Sequence, residues 1–285
     1  MNAIEFRLDD GRGLPIVGDV RLPDGSALAP VVVLAHGWLG WKDWGFLPIL
    51  AEKLAAEGLV AVSFNFSCSG VPAGRDEIVE EDLFASNTFT REVEDLERMV
   101  TAVFERMIAG RERFDIRQIA TLGYDAGGAV ALIEAAGDSR VKAIVSIAAP
   151  ARLESLLPEE AFAAWLTRGE YEFKDKRTNR KLRLPWGFFR DLRARRAQLD
   201  SVAAAQALRA PYLVLHGDED RVVPLADGRA IFFANSEYAD LQVLKGADHT
   251  LGANHPMGAP TEAVGAACES VRGFFSTKLG LLKRS

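Results

Sequence analysis

Cysteine is nearly absent from this chain. Cys68 and Cys268 are the only two in 285 residues, too few for a disulfide framework and at no spacing that a metal centre uses. Long apolar runs are missing too: no stretch approaches the roughly 18–20 uninterrupted apolar residues of a membrane span. The opening Met1-Asn2-Ala3-Ile4-Glu5-Phe6-Arg7 has neither a basic n-region nor an apolar h-region, so no signal peptide is expected. Positive charge is in deficit, with 34 Lys and Arg against 40 Asp and Glu and a net charge of −6, which argues against a general nucleic-acid binder. Internal repeats and low-complexity tracts are absent. What is present is an ordinary globular balance, 48% hydrophobic and 26% charged. The expectation is a cytoplasmic protein that meets a small-molecule substrate, with no nucleic-acid or membrane partner, as monomer or homodimer.

Short β-branched runs alternate with helical stretches. Val31–Ala35, Leu59–Phe64, Gln118–Leu122, Ala143–Ile147, Tyr212–Leu215 and Leu241–Leu244 read as buried strands. Near-continuous apolar strands suit a parallel sheet covered on both faces. One intervening helix is expected from Thr90 as N-cap, with Val93, Leu96, Val100, Val103, Phe104 and Met107 on its apolar stripe. This alternation predicts a doubly wound α/β sheet. Residues around Ile4–Arg7 and Ile16–Arg21 read as an antiparallel edge hairpin. The pattern breaks after Pro150, where the chain turns irregular, aromatic and basic. From Lys174 to Arg196 there are ten Lys or Arg against Asp175 and Asp191. The predicted organisation is a core over 1–150, an insertion acting as a cap over 151–203, with Thr178-Asn179-Arg180 as a hairpin turn, and the rest of the core over 204–285.

Ligands of such sheets bind at the C-terminal strand ends, and three loops there carry unusual residues. His36-Gly37-Trp38-Leu39-Gly40 follows the first buried strand, with a glycine that lets backbone N–H groups approach a substrate. Gly123-Tyr124-Asp125-Ala126-Gly127-Gly128 follows another and leads into an apolar helix, the pattern of a nucleophile elbow with Asp125 in its centre. His216 to Pro224, containing Asp218 and Asp220, and Gly246 to Thr250, containing His249, come last. Nucleophile, acid and histidine thus follow one another as in a hydrolase triad. Asp218 is the alternative acid, Asp248 reads as a loop residue, and His216 as a packed one. Cys68, Ser67 and Ser69 lack an elbow around them.

At these residues the chain resembles the α/β-hydrolase superfamily, and within it bacterial hydrolases of the dienelactone-hydrolase and serine-aminopeptidase-like groups. HGWLGWKDW (36–44), FNFSCSG (64–70), GYDAGG (123–128), HGDEDRVVP (216–224) and GADHTLG (246–252) carry the resemblance, which covers nearly the whole length. It implies a mostly parallel eight-stranded sheet with a cap between its sixth and seventh strands. Asp125 takes the nucleophile position, Asp220 the acid and His249 the base. The backbone N–H groups of Trp38 and Ala126, beside Gly37, would form the oxyanion hole, and no metal or organic cofactor is implied. The departure is at the elbow, where relatives of this type would read Gly-His-Ser and this chain has Gly123-Tyr124-Asp125.

A carboxylate is a poor acyl-transfer nucleophile, because attack on an ester gives a mixed anhydride. Its suitable target is a saturated carbon carrying halide or epoxide oxygen, giving an alkyl ester that a histidine-activated water then hydrolyses. Haloalkane and haloacid dehalogenases and epoxide hydrolases of this fold work in that way. The sequence matches none of them in full, since Ala126 stands where a Trp or Arg after the nucleophile would assist. Tyr124, Trp165, Tyr171, Trp186 and Arg183 are the candidate pocket residues, and Arg177, Arg180 or Arg183 the candidates to hold a carboxylate. Two other readings stand beside this one: an ester, thioester or lactone hydrolase lineage with altered or lost activity, and a binding protein on the same scaffold.

Overall fold

The computed structural model describes residues 3–281. In chain order its strands are β1 (Ala3–Asp9), β2 (Pro15–Arg21), β3 (Ala29–Ala35), β4 (Val60–Asn65), β5 (Phe114–Tyr124), β6 (Val141–Ile147), β7 (Glu170–Lys174), β8 (Lys181–Pro185), β9 (Tyr212–Gly217) and β10 (Ala239–Leu244). Helices α1 (Leu47–Ala56), α2 (Glu81–Ala85), α3 (Phe89–Phe104), α4 (Ala126–Gly137), α5 (Glu159–Arg168), α6 (Trp186–Ala194), α7 (Ser201–Ala207), α8 (Leu225–Ala234) and α9 (Glu262–Lys278) connect them. Eight strands form one sheet in the order β1-β2-β4-β3-β5-β6-β9-β10. It is parallel from β4 to β10, with the β1–β2 hairpin added antiparallel at one edge, as the sequence predicts.

The central strands are apolar throughout because both faces are covered. In β3, Val31, Val33 and Ala35 enter the core layer that holds Leu96 and Val100 of α3 and Val130 of α4. Val32 and Leu34 point the other way, into the layer holding Leu50 and Leu54 of α1 and Val271 and Phe275 of α9. Among the described residues no helix is long and apolar enough to cross a membrane.

The α3 expectation needs a shift of two residues. Thr88 is the N-cap, with extended backbone and a hydroxyl that accepts the Arg91 N–H at 3.1 Å. Thr90 already lies inside the helix, and its hydroxyl reaches out to Asp191 Oδ2 at 2.7 Å. The apolar stripe ends at Val103: Phe104 is the last helical residue and is exposed, and the left-handed Arg106 turns the chain before exposed Met107.

Between β6 and β9 the chain leaves the sheet. α5, the antiparallel β7–β8 hairpin and α6 make a small layer, and α7 then returns to pack against α4 and α8. The hairpin turns through Thr178 and the left-handed Asn179, as expected. Its basic charge has partners across the chain. Arg180 faces Glu77 at 3.4 Å and Glu81 at 3.5 Å, and Arg183 donates to Asp82 at 2.8 Å. The acids that dock the hairpin thus come from the first turn of α2 and the segment leading into it.

Candidate active site

Asp125 sits in the turn between β5 and α4 with φ 55° and ψ −125°, a strained conformation for a non-glycine residue. The turn is held by the Asp125 N–H, which donates to Ile147 O at 2.8 Å. It closes only because its neighbours are small. A Cβ on Gly123 would fall 1.9 Å from Gly127 O, and one on Gly127 2.4 Å from His36 O. The loop after β3 approaches from the other side, where buried His36 is held neutral. Burial drops its pKa to about 4, while its ring bonds Gly37 O and accepts the Phe66 N–H.

This packing brings backbone donors onto the carboxylate. The Trp38 N–H donates to Asp125 Oδ2 at 2.8 Å, and the Ala126 N–H also bonds the carboxylate. Oδ1 is buried and has no hydrogen-bond partner; His249 Nε2 lies 3.6 Å from it. The other ring nitrogen, Nδ1, donates to Asp220 Oδ2 at 2.8 Å. Asp220 Oδ1 accepts the N–H groups of Val222 and Val223, which fixes the acid's orientation.

The charges are set by these contacts. Burial raises the Asp125 pKa above the ordinary value, a shift that His249 and the two backbone N–H groups only partly offset. Burial works against a proton on His249, yet the bond to Asp220 and the negative charge of Asp125 win, so its pKa rises. Burial opposes ionisation of Asp220 as well, but its bonds to His216, His249 and Val223 hold it well below the carboxylate range. Buried Tyr124 keeps its phenol proton, first through desolvation and then through the nearby carboxylates.

A cavity of about 280 Å³ opens over Asp125 and His249. Gly37, Trp38, Leu39 and Gly40 form one wall, Trp44 and Tyr124 another, and Leu156, Val222, Thr250 and Arg177 complete it. Trp44 stacks on Tyr124 at 5.5 Å between centroids, and Tyr124 in turn packs against the His249 ring. The volume is at the low end for ligand pockets, and the lining is mostly apolar, with few polar groups around the reactive ones.

The sequence profile described as "Alpha/beta hydrolase family" matches residues 32–267. The chain belongs to the α/β-hydrolase family. No curated protein matches this α/β hydrolase in sequence. Solved structures share its fold over nearly the whole chain. The esterase domain of a Rhodothermus marinus protein is 18% identical, covers 98% of this chain and 100% of its own, and has a TM-score of 0.67. Est1E from Butyrivibrio proteoclasticus is 16% identical over 98% of this chain and 100% of its own, with a TM-score of 0.69. A Klebsiella pneumoniae protein provisionally called a dienelactone hydrolase is 17% identical, with 97% and 99% coverage and a TM-score of 0.63.

In this hydrolase, then, Asp125, His249, Asp220, Gly37, Trp38, Ala126 and Tyr124 converge on one site. The alternative acid, Asp218, instead accepts the Gly246 N–H at 2.6 Å, and Asp248 organises the loop after β10 through Thr250 and Gly252. His216 is packed, with Nε2 2.9 Å from Val223 O. Four expected pocket residues lie elsewhere. Trp165 is buried in the α5 layer and donates its indole N–H to Leu184 O at 2.7 Å. Tyr171 stacks on Phe173, and Trp186 is 43% exposed beside Phe189. Arg183 points to Asp82 and Glu170, away from the cavity. Leu39, Leu156 and Val222 complete the walls beside Trp44 without being predicted. Leu39 and Val222 sit inside recognised motifs, whereas Leu156 carries no sequence signal.

Proposed function

We propose that this α/β hydrolase cleaves a bond between a saturated carbon and a leaving group, halide or epoxide oxygen, through an alkyl ester on Asp125. The observation that carries this reading is the division of labour between the two oxygens of Asp125. Oδ2 accepts the Trp38 N–H, and buried Oδ1 has no hydrogen-bond partner. A serine hydrolase must keep such a donor free for the substrate carbonyl. With the nucleophile's own oxygen seated there, ester cleavage, the activity named for the Rhodothermus marinus neighbour, is the less suited chemistry.

In the first step Oδ1 attacks carbon, the C–O bond to Asp125 forms, and the carbon–leaving-group bond breaks with its electron pair. Halide departs as the anion. An epoxide oxygen stays attached to the carbon skeleton and takes a proton, for which the protonated Tyr124 phenol at the cavity wall and the His249 imidazolium are the available sources. In the second step neutral His249 removes a proton from water, which attacks the Asp125 Cγ. The negative charge of the tetrahedral intermediate then develops on Oδ2, where the Trp38 N–H already stands, with the Ala126 N–H beside the same carboxyl group. Collapse breaks the bond from Cγ to the alkyl-bearing oxygen, and the His249 imidazolium protonates that oxygen to release the alcohol. The carboxyl gives up its remaining proton, to solvent after halide displacement or back to the acid that protonated the epoxide oxygen. Asp220 holds the imidazole with Nε2 toward the reaction throughout. The aromatic walls and small volume suit a compact electrophile, with the 151–203 segment acting as its cap.

The decisive test is intact-protein mass spectrometry and peptide mapping of His249→Ala after incubation with haloacids, haloalkanes and epoxides. The expected result is a stable mass increase located on Asp125, because the ester forms and its hydrolysis stalls. Turnover of p-nitrophenyl esters by the wild type, with no adduct across the panel, overturns this reading in favour of acyl transfer.

A further inference from the structure

Three arginines of the insertion are near enough to the sheet's C-terminal edge in sequence to bind an anionic substrate, but the fold spends two of them. Arg180 is held by Glu77 and Glu81, and Arg183 by Asp82 and Glu170. Arg177 alone among the Lys and Arg residues of this hairpin lines the cavity that holds Asp125. We propose that Arg177 is the specificity-determining residue of the site and that the electrophile attacked by Asp125 carries a carboxylate, which Arg177 binds. This rests on the alkyl-ester reading above for the reaction, and on the cavity geometry alone for the binding.

Arg177 is preorganised for the task. Its guanidinium lies over the Trp41 ring at 5.2 Å, and Trp41 is buried, so one face of the plane rests on a fixed support. One Nη2 N–H is donated to Leu39 O, the carbonyl of a cavity-wall residue. Nε faces Asp175 Oδ1 at a long 3.4 Å. Asp175 is itself occupied in forming the hairpin turn, accepting the Arg177 N–H at 3.0 Å and the Thr178 hydroxyl at 3.0 Å. Of the five guanidinium N–H donors, the two on Nη1 have no partner among the described residues. A planar carboxylate is the acceptor that such a fork binds best. The same contact suits the chemistry. A carboxylate next to the reacting carbon repels the attacking Asp125 carboxylate; the Arg177 guanidinium would neutralise that repulsion and hold the carbon in a small cavity for attack by Oδ1.

The consequence is discrimination between an acid and its amide. The probes are the unreactive pair propionate and propionamide, read through tryptophan fluorescence, and the reactive pair 2-bromopropionate and 2-bromopropionamide, read as adduct mass on Asp125 in His249→Ala. Wild type is expected to bind propionate at least 10-fold more tightly than propionamide, and Arg177→Gln to bring that ratio to near one. Arg177→Lys, which keeps the charge but not the fork, should retain an intermediate ratio. Adduct formation should follow the same order. No preference for the acid, or a preference that survives in Arg177→Gln, overturns the assignment. The two readings fail separately. Acid-selective binding lost in Arg177→Gln, without any adduct, supports the Arg177 assignment and removes the alkyl ester. Adducts formed equally from acid and amide do the reverse.

Discussion

A methyl group at position 37 would stand 2.8 Å from Asp125 Oδ2, 2.9 Å from Asp125 Cβ and 3.1 Å from Tyr124 Cδ1. The first two are closer than a carbon can come, and Asp125 cannot retreat, because its backbone is pinned in the elbow by Ile147 O. Gly37 is therefore what allows the carboxylate to reach the Trp38 N–H. Gly37→Ala should fold, since the change is local, yet push Oδ2 off its donor and misplace Oδ1. A displacement of that size typically costs about 100-fold in rate. Adduct formation on Asp125 in the Gly37→Ala, His249→Ala double variant, timed against His249→Ala alone, checks this. Equal rates would mean that the seated Oδ2 is unimportant for attack.

Individual elements show where a sequence informs and where it stops. The elbow was legible because its constraints are local: Gly123, Asp125 and Gly127 crowd one another within five residues, and the chain must spell that out. His249 and Asp220 were legible because each lies in the loop that follows a strand of a recognisable order. The α3 start was misread by two residues because Thr88 and Thr90 are equally good caps, and the choice falls to tertiary contacts, with Thr90 drawn to Asp191. The placing of Arg180 and Arg183 was not legible at all. Their partners Glu77 and Asp82 lie about a hundred residues away, and spacing along the chain says nothing about them. These pairs are exposed, so they contribute little to global stability; their part is to set where the β7–β8 hairpin rests. Arg180→Glu with Arg183→Glu should leave the melting temperature nearly unchanged while limited proteolysis between 174 and 183 speeds up. Protection equal to wild type would show that the hairpin docks by its apolar side alone.

At the scale of the whole molecule, four loops from β3, β5, β9 and β10 bring a buried acid, a histidine and a second acid together, and the fold carries the electrostatic cost of that assembly. Asp125 prefers its proton more strongly in the folded chain than in the unfolded one, so its burial costs stability once pH exceeds about 4. His249 prefers its proton more strongly when folded as well. For a base this means stability that is fully present below about 6.5 and is lost as pH rises through the higher folded value. Replacing Asp125 by Asn removes both effects, the buried charge and its attraction for the imidazolium. Asp125→Asn should therefore be more stable than the wild type, and by a larger margin at pH 9 than at pH 6, because the wild type loses the imidazolium as pH rises. Urea titrations at the two values read the difference. Imidazole resonances followed by NMR give the companion result: the His249 pKa falls in Asp125→Asn, because the negative charge that raised it is gone. Alkylation neutralises Asp125 in the same way. The histidine that begins the cycle inclined to keep its proton then gives it up more easily once the ester exists, which is when the reaction needs a base. A His249 pKa that does not move in Asp125→Asn would break this link between the two steps, and with it the account of why an unpartnered carboxylate oxygen is kept buried beside it.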